Sequence, residues 1–528
     1  MFDLIIKNAQ VIDGSGVPAY RADVAVSGDK IKAVGKIDSD CVETIDAEGL
    51  VVAPGFIDVH GHSDLFALID PDRASKLCQG ITTEICGMCG FGPAPVSDGY
   101  YELYKGYLGS LGAPVYPQSK GFTNFDTFMK FMDEVPLGIN LAFFIPHGMV
   151  RIAVMGLSPE KPSAAELECM SALVREGMAH GALGLSSGLM YAPGIFAGED
   201  EFASLCTVVG EFDGIYTTHL RDQGRRLVES VAESIRVASK AGISANISHH
   251  KASGKDNWGK VSSTTKMIHD ADIAVMHDVY PYTAGSSSLL STLPHFLQKM
   301  THDEIIAYIS DDKNYEALKE AVFNPAMDFE SPLADSGYDG LMIFDAAVTK
   351  DVIGKSVEQY AAELGLDPFK TYLKILIDNK LSAGYIGFSM DEADVKMLMA
   401  DPLCMFGTDA LYVQGMQMTH PRAIGMIPRI LGRYVREIGL LSLEEAIRKM
   451  TSLPAQFYGL RGKGVIREGM DADIVVFDPD VIIDHADFKQ PLLPNEGVFR
   501  VIVGGEVAVC NDKATGVRNG TVLRRGIV

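Results

Sequence analysis

Residues 52–62, VAPGFIDVHGH, form a short apolar run with strand character that ends in two histidines, His60 and His62. Seven further apolar runs follow, each separated from the next by enough residues for a helix. Apolar strands alternating with helices are typical of a parallel sheet covered on both faces, and eight of them predict a closed (β/α)8 barrel of the TIM type. The further runs are GITTEICGMCG (80–90), GINLAFFIPHG (138–148), GALGLSSG (181–188), GIYTTHLRD (214–222), ISANISHHK (243–251), IAVMHDVYPY (273–282) and PLCMFGTDA (402–410).

The two ends of the chain share a sequence pattern that the middle lacks. The first residues and those from Gly464 onward read as short alternating strands broken by turns. We expect them to form one small β-sandwich domain, from residues 1–54 and 462–528, beside a barrel of residues 55–461. The interval of about 293–404 is longer than one crossover between strands requires, so it predicts an inserted subdomain or lid.

The composition favours a globular protein that acts on a small molecule. Hydrophobic residues make up 47% of the 528, and the net charge of -23, with a pI near 5.0, opposes binding to nucleic acid or anionic membranes. The N-terminal residues lack the features of a secretory signal and no run of eighteen uncharged apolar residues occurs, so we expect a cytoplasmic protein. Eight scattered cysteines are too few for a disulfide framework, which leaves one or two as candidate metal ligands.

Metal-binding side chains fall at the ends of the predicted strands. His60 and His62 close the first run with a spacing of two, which places both imidazoles on the same face of an extended segment. His219, His249 and Asp409 come at the ends of later runs. Catalytic groups of a barrel lie at the carboxyl ends of its strands, and neutral imidazoles bind divalent metals, so these residues predict one shared metal site.

A pair of metal ions also needs an anionic ligand between them, because imidazoles alone leave too much charge uncompensated. The fourth run offers neither a lysine nor a glutamate for this role. Cys89 ends the second run between glycines, and a thiol beside a zinc ion is deprotonated. Cys86 could join it as a CxxC pair, but ligands drawn from distant strands favour an open catalytic site over a closed structural one.

Several motifs resemble a known family. PGFIDVHGHSD (54–64), GVIREGMDADIVVFD (464–478) and the terminal Asp409 resemble the amidohydrolase superfamily. The further motifs are similar to its D-aminoacylase branch, the N-acyl-D-amino-acid deacylases, over nearly the whole chain outside about 293–404. They are GMCGFGPAP (87–95), GALGLSSGLMYAPG (181–194), YTTHLRDQG (216–224), ISHHK (247–251), DVYPYTAGS (278–286) and HPRAIGMIPRILG (420–432).

The resemblance implies a zinc centre with one tightly bound ion and a second, weaker metal position. The branch lacks the carbamylated lysine of the fourth strand, and so does this sequence. The implied ligands are Cys89, His219 and His249 for the tight zinc, and His60, His62 and Asp409 with the shared Cys89 for the second metal.

The resemblance also implies the roles of residues around the metals. Asp409 matches the general base, which would later return its proton as a general acid. Lys251, Tyr280 and Arg422 match groups near the carboxylate of the substrate, whereas His250 would point away from His249 into packing. From the residues alone, Arg422 could equally be a surface or capping residue, Tyr280 a packing residue and Lys251 a solvated one.

The sequence thus predicts zinc-dependent hydrolysis of the amide bond of N-acyl-D-amino acids, which releases a carboxylate and a free D-amino acid. Two enzymatic alternatives use the same metal chemistry: a cyclic-amide hydrolase of the dihydroorotase or hydantoinase kind, and a dipeptidase acting on D-residues. A barrel that has lost catalysis and serves as a scaffold is the alternative from another class.

Overall fold

The computed structural model describes residues 1–110, 113–324 and 329–526. Its N-terminal strands belong to the small domain, where Leu4 and Ile6 of the first strand enter the core. The strands are β1 (Phe2–Val11), β2 (Tyr20–Ser27), β3 (Lys30–Gly35), β4 (Cys41–Asp46) and β5 (Val51–Pro54).

The next eight strands build most of the barrel, and their pairings are parallel. β8 and β9 are separated by a single residue and together fill one position in the barrel. These strands are β6 (Phe56–Asp58), β7 (Ile81–Cys86), β8 (Asn140–Phe143), β9 (Ile145–Pro146), β10 (Gly184–Gly188), β11 (Ile215–His219), β12 (Ser244–Ile247) and β13 (Val275–Val279).

An inserted subdomain follows, with an antiparallel sheet of β14 (Gly285–Ser288), β15 (Leu341–Ala346) and β16 (Ala383–Gly387) and a hydrophobic core of its own. The sheet of the insertion begins at Gly285, whereas the sequence predicted that the insertion starts at about residue 293. β14 reads GSSS and has no apolar alternation, so its sequence gives no strand signal.

The last strand of the barrel is β17 (Cys404–Phe406), which pairs in parallel with β13. The Val59 N–H donates to the carbonyl of Phe406 at 3.2 Å, and Gly61 bridges to Ala410, so β17 also meets the end of β6. These contacts close the ring, and the carboxyl ends of all eight positions face one mouth.

The C-terminal strands complete the small domain. Their antiparallel pairing with β5 joins both chain ends in one mixed nine-stranded sheet, while the last strand pairs with β8 of the barrel. The predicted architecture of a barrel, a small β domain from both termini and an insertion is confirmed, and the exact domain boundaries stay a prediction. The strands are β18 (Ile474–Phe477), β19 (Val498–Val503), β20 (Glu506–Cys510), β21 (Lys513–Ala514) and β22 (Val522–Leu523).

Helices cover the outside of the barrel and fill the insertion, and none in the described ranges is long and apolar enough to cross a membrane. α16 continues into a π-helical segment, Ile430–Glu437. The helices are α1 (Ala74–Leu77), α2 (Tyr101–Ser110), α3 (Phe125–Asp133), α4 (His147–Met155), α5 (Ala164–Ala179), α6 (Glu199–Gly210), α7 (Leu227–Ala241), α8 (Val261–His269), α9 (His295–Gln298), α10 (His302–Ser310), α11 (Tyr315–Phe323), α12 (Pro332–Ser336), α13 (Val357–Leu364), α14 (Pro368–Asp378), α15 (Glu392–Ala400), α16 (Arg422–Arg429), α17 (Leu443–Met450) and α18 (Ser452–Tyr458).

A buried lysine ties the first strand of the barrel to the last. Lys76 Nζ donates to Asp58 Oδ2 at 2.5 Å and to Thr408 Oγ1 at 2.6 Å, and it lies 3.4 Å from Glu84 Oε1. Replacing Lys76 by methionine leaves two buried carboxylates without their cation. We therefore expect Lys76→Met to destabilise the fold by about 3 to 5 kcal/mol, seen as a lower urea midpoint.

The matched control for this prediction is Lys130→Met, which removes a surface lysine paired with Asp126 at 2.6 Å. An exposed pair of this kind contributes about 0.5 kcal/mol or less. Equal urea midpoints for the two variants would show that the buried pair does not hold the barrel strands together.

Candidate metal centre

Cys89 lies at the centre of the predicted ligands. It follows β7 in a single turn, Met88–Gly90, and its side chain is buried. Its Sγ atom is 3.2 Å from His60 Nε2, 3.6 Å from His249 Nε2 and 3.8 Å from His219 Nδ1. One thiol therefore contacts imidazoles from three different strand ends.

Asp409 joins the cluster from the other side. Its Oδ1 lies 3.3 Å from His62 Nε2 and 3.6 Å from His60 Nε2, and its backbone N–H donates to the carbonyl of His60 at 2.7 Å. Ligand atoms of His60, Cys89, His249 and Asp409 all lie within 4.8 Å of one another. His219 contacts Cys89, and His62 contacts Asp409. The fold therefore brings all six predicted ligands together.

Three of the six adopt left-handed backbone conformations, which are uncommon outside glycine. The φ angles are 55° at Cys89, 35° at His249 and 47° at Asp409. Each such residue costs about 1 to 3 kcal/mol, and such strain concentrates where the surrounding structure fixes a functional geometry. The strained backbone at these strand ends therefore places the three side chains in the cluster.

The local charges favour a thiolate at Cys89. Burial alone would raise the pKa of this thiol, but the charge of His60 and the contacts with His219 and His249 hold it well below its ordinary value. His62 Nδ1 and His219 Nε2 are buried without a hydrogen-bond partner in the described structure. A sulfur, imidazole and carboxylate donor set of this kind suits zinc.

Asp278 supports two of the ligands, and the sequence reasoning missed it. Its Oδ1 lies 3.3 Å from His60 Nδ1 and accepts the backbone N–H of His249 at 2.9 Å, while Asn246 donates to Oδ2 at 2.7 Å. A carboxylate on the second nitrogen of a ligating histidine fixes its tautomer and orientation. Asp278 lies near the end of the seventh run, so a search for carboxylates as well as histidines at strand ends would have found it.

Two side chains contact His249 on the side away from the cluster. Lys251 Nζ and Gln223 Nε2 lie 2.8 and 2.9 Å from His249 Nδ1, and Lys251 also donates to Gln223 Oε1 at 3.0 Å. Burial, together with the charge of Arg422, lowers the pKa of Lys251 to about 8. Lys251 is therefore buried beside the site and not solvated.

Arg422 is the first residue of α16 and lies next to Asp409 of the cluster. Its Nη1 is 2.9 Å from Asp409 Oδ2, its Nη2 donates to Ser286 Oγ at 3.0 Å, and its guanidinium stacks 4.4 Å from the ring centre of Tyr280. The side chain is 1% exposed, which rules out a surface role. Arg422 holds the pKa of the Asp409 carboxyl well below its usual range, against the effect of burial.

A cavity opens over the cluster between the barrel and the insertion. Phe91 and Tyr191 flank its metal end, and Lys251 and Tyr280 form one wall. The insertion contributes Glu330, Asp335 and Tyr385 to the lining, and the sequence did not predict this because the interval carries no recognisable motif.

Three other buried side chains, those of His250, Cys86 and His147, are not part of the cluster. His250 packs against α8, with Nε2 2.8 Å from Thr264 Oγ1, in agreement with the predicted packing role. Burial raises the pKa of the Cys86 thiol well above its ordinary value, as suits a core residue. His147 lies 2.8 Å from Glu201 on α6, so it joins two helices and does not line the cavity.

Comparison with known proteins identifies the family of this chain. Residues 43–509 match the model of the amidohydrolase family. The chain belongs to this family. This amidohydrolase is 32% identical to D-aminoacylase of Alcaligenes xylosoxydans xylosoxydans, over 99% of this chain and 98% of the relative. It is 33% identical to N-acyl-D-glutamate deacylase of the same organism, over 99% and 96% of the two chains.

A solved structure is similar over the whole length of this amidohydrolase. It is N-acyl-D-glutamate deacylase from Bordetella bronchiseptica, in complex with zinc and a phosphonate inhibitor that mimics the tetrahedral intermediate. The TM-score is 0.82 at 31% identity, with 99% of each chain covered.

Proposed function

We propose that the protein is a zinc-dependent amidohydrolase that cleaves N-acyl-D-amino acids into a carboxylate and a free D-amino acid. The observation that carries the proposal is the buried Cys89 thiol, surrounded by imidazoles from three strand ends with Asp409 opposite. The full-length similarity to three deacylases of N-acyl-D-amino acids supports the substrate class.

In this proposal Cys89, His219 and His249 hold the tightly bound zinc, while His60, His62 and Asp409 complete a second, weaker position that shares Cys89. Zinc, when bound there, supplies a Lewis acid that polarises the scissile carbonyl and lowers the pKa of a water molecule. Asp278 orients His60, and Lys251 and Gln223 orient His249.

Asp409 moves the proton. Its low pKa keeps the carboxylate ionised across the neutral pH range, so it is available to accept the proton of the attacking water. The departing nitrogen then takes the proton from Asp409, which restores the carboxylate. Arg422 holds Oδ2 at 2.9 Å, which leaves Oδ1 on the histidine side for proton transfer.

Lys251, Tyr280 and Arg422 provide the binding region for the carboxylate of the substrate. Lys251 and Tyr280 line the cavity, whereas Arg422 lies one layer out and donates to Ser286, which lines it. We expect Arg422→Ala to raise the KM for N-acetyl-D-amino acids about 10- to 150-fold, equivalent to about 1.5 to 3 kcal/mol for a charge-assisted bond. Steady-state kinetics measure this change.

The matched control is Arg429→Ala on the same helix. Arg429 stacks 4.8 Å from the ring of Tyr282 and pairs with Asp484 at 3.2 Å, and neither it nor these partners line the cavity. Its KM should stay near that of the wild type. An unchanged KM in Arg422→Ala would remove Arg422 from substrate binding.

The function is tested with matched N-acetyl-D- and N-acetyl-L-amino acids, assayed with and without a chelator. We expect turnover of the D-series that a chelator abolishes and added zinc restores. Preferred turnover of hydantoins or dihydroorotate, or of dipeptides containing D-residues, would support an enzymatic alternative. Absence of both zinc and turnover after zinc addition would support the scaffold.

We also propose that the protein works in the cytoplasm on a small molecule, without nucleic acid. The eight cysteines are all unpaired, as is usual in a reducing compartment, and the net charge is -23. We further propose that the barrel comprises residues 55–461 and the β domain residues 1–54 and 462–528.

A further inference from the structure

Part of the lining of the active-site cavity is acidic. Glu330 and Asp335, both from the insertion, line it together with the polar side chains of Ser253, Ser336 and Ser389. Nothing in the proposed hydrolysis uses these carboxylates, because the proton is moved by Asp409 and the substrate carboxylate is bound on the Lys251 side.

Glu330 is a buried acid that forms no ion pair with a described residue, although the nearby charge of Lys251 partly opposes the rise in its pKa. It is 7% exposed, and one oxygen, Oε2, accepts the backbone N–H of Gln223 at 2.9 Å. Its other oxygen has no hydrogen-bond or ion-pair partner among the described residues. Burial and the nearby Asp222 and Asp335 raise the pKa of Glu330 to about 8. A buried carboxylate left in this state is costly unless a partner compensates it.

The cations of the site are engaged elsewhere. Lys251 Nζ contacts Gln223 Oε1 and His249 Nδ1, and Arg422 is paired with Asp409. Neither lies within ion-pair distance of Glu330 in the described structure. A cationic group of a molecule bound in the cavity would pair with Glu330 and favour its ionised form.

Glu330 is also close enough to the metal ligands to contact a substrate. Gln223 connects the two, because its backbone N–H bonds to Glu330 at 2.9 Å and its Nε2 lies 2.9 Å from His249 Nδ1. Only one residue thus separates Glu330 from a proposed zinc ligand. A side chain of four carbons carrying a terminal amine has the reach and the flexibility for such a site.

We propose that Glu330, backed by Asp335, is the specificity subsite for a cationic side chain, so that the substrates are N-acyl derivatives of D-lysine or D-arginine. This inference rests on the proposed deacylase function and adds the side-chain class to it. The ammonium or guanidinium group would pair with the free oxygen of Glu330. An acidic side chain would meet like charge in a desolvated position and be rejected.

The test compares kcat/KM for N-acetyl-D-lysine, N-acetyl-D-norleucine and N-acetyl-D-glutamate, since norleucine keeps the length of lysine without its charge. We expect the wild type to favour D-lysine over D-norleucine by about tenfold or more, as for a charge-assisted bond, and to process D-glutamate most slowly. Glu330→Gln should lose most of the preference for lysine while its kcat/KM for norleucine stays within about threefold.

Two further variants keep the test decisive. Glu316→Gln, on α11 of the same subdomain, removes an exposed acid outside the active-site cavity and should leave all three values unchanged. Glu330→Lys should invert the order and favour D-glutamate. Zinc content and melting temperature, measured on each variant, separate a specificity change from misfolding.

The possible failures are distinguishable. If the wild type hydrolyses none of the three substrates, both the deacylase function and the subsite are contradicted. The subsite is overturned if the wild-type kcat/KM for N-acetyl-D-norleucine or N-acetyl-D-glutamate equals that for N-acetyl-D-lysine. It is also overturned if folded Glu330→Gln retains the full preference for N-acetyl-D-lysine. The deacylase function stands in both cases.

Discussion

Replacing Cys89 by alanine is expected to remove the tightly bound zinc and, with it, turnover. The thiol contributes the anionic ligand among neutral imidazoles, and its Sγ is within 3.8 Å of His60, His219 and His249. Removal of an outer-shell partner already costs about 10- to 100-fold in metal affinity, so loss of this ligand should cost more than about 100-fold. Elemental analysis after gel filtration and titration with zinc measure the change.

Cys86→Ala is the matched control, at the last residue of β7 and three residues before Cys89. Cys86 is equally buried, but burial raises the pKa of its thiol, and it is not part of the described cluster of candidate ligands. This variant should keep its zinc and its activity within the limits set by a small core cavity. Full zinc content and activity in Cys89→Ala would show that the cluster is not the catalytic metal site.

Asp409→Asn is expected to lower kcat by about 10²- to 10⁴-fold, the range for removal of a general acid–base group. Asparagine has nearly the same shape but cannot accept the proton of the attacking water. The tight zinc should remain, because its three proposed ligands are Cys89, His219 and His249. Kinetics and zinc analysis on the same preparation measure both quantities.

The two outcomes for Asp409 carry different information. A loss of kcat with zinc retained assigns Asp409 to proton transfer. Undiminished turnover would exclude Asp409 from that role, whereas loss of all zinc would place it among the ligands of the tight site. Because Asp409 is paired with Arg422, the melting temperature of the variant shows whether the unpaired guanidinium disturbs the fold.

The barrel was predictable because its strands are buried on both faces. A run such as ITTEIC is buried at every position of β7, and this burial produces the near-continuous apolar pattern. The clustering of the candidate ligands was predictable for a related reason, since catalytic groups of a barrel lie at strand ends and His60, His219 and His249 occur there. The proximity of these side chains in space follows from the closure of the ring.

Other features depend on contacts between distant segments and leave no local pattern. The pairing of Arg422 with Asp409 joins the start of α16 to the segment after β17, and no spacing in the sequence specifies it. β14 has no apolar alternation, since Gly285, Ser286 and Ser287 are partly exposed and line the cavity. Glu330 lies in the interval without a motif, so its position in the cavity appears only once the insertion is folded over the barrel.

The most direct test of the account is a crystal structure with anomalous diffraction data collected on both sides of the zinc absorption edge. We expect one strong zinc peak bonded to Cys89 Sγ at about 2.3 Å and to nitrogens of His219 and His249 at about 2.0 to 2.1 Å. A second, weaker peak is expected near His60, His62 and Asp409. Zinc-loaded crystals without a zinc peak at Cys89, or with the ion bound elsewhere, would contradict the account.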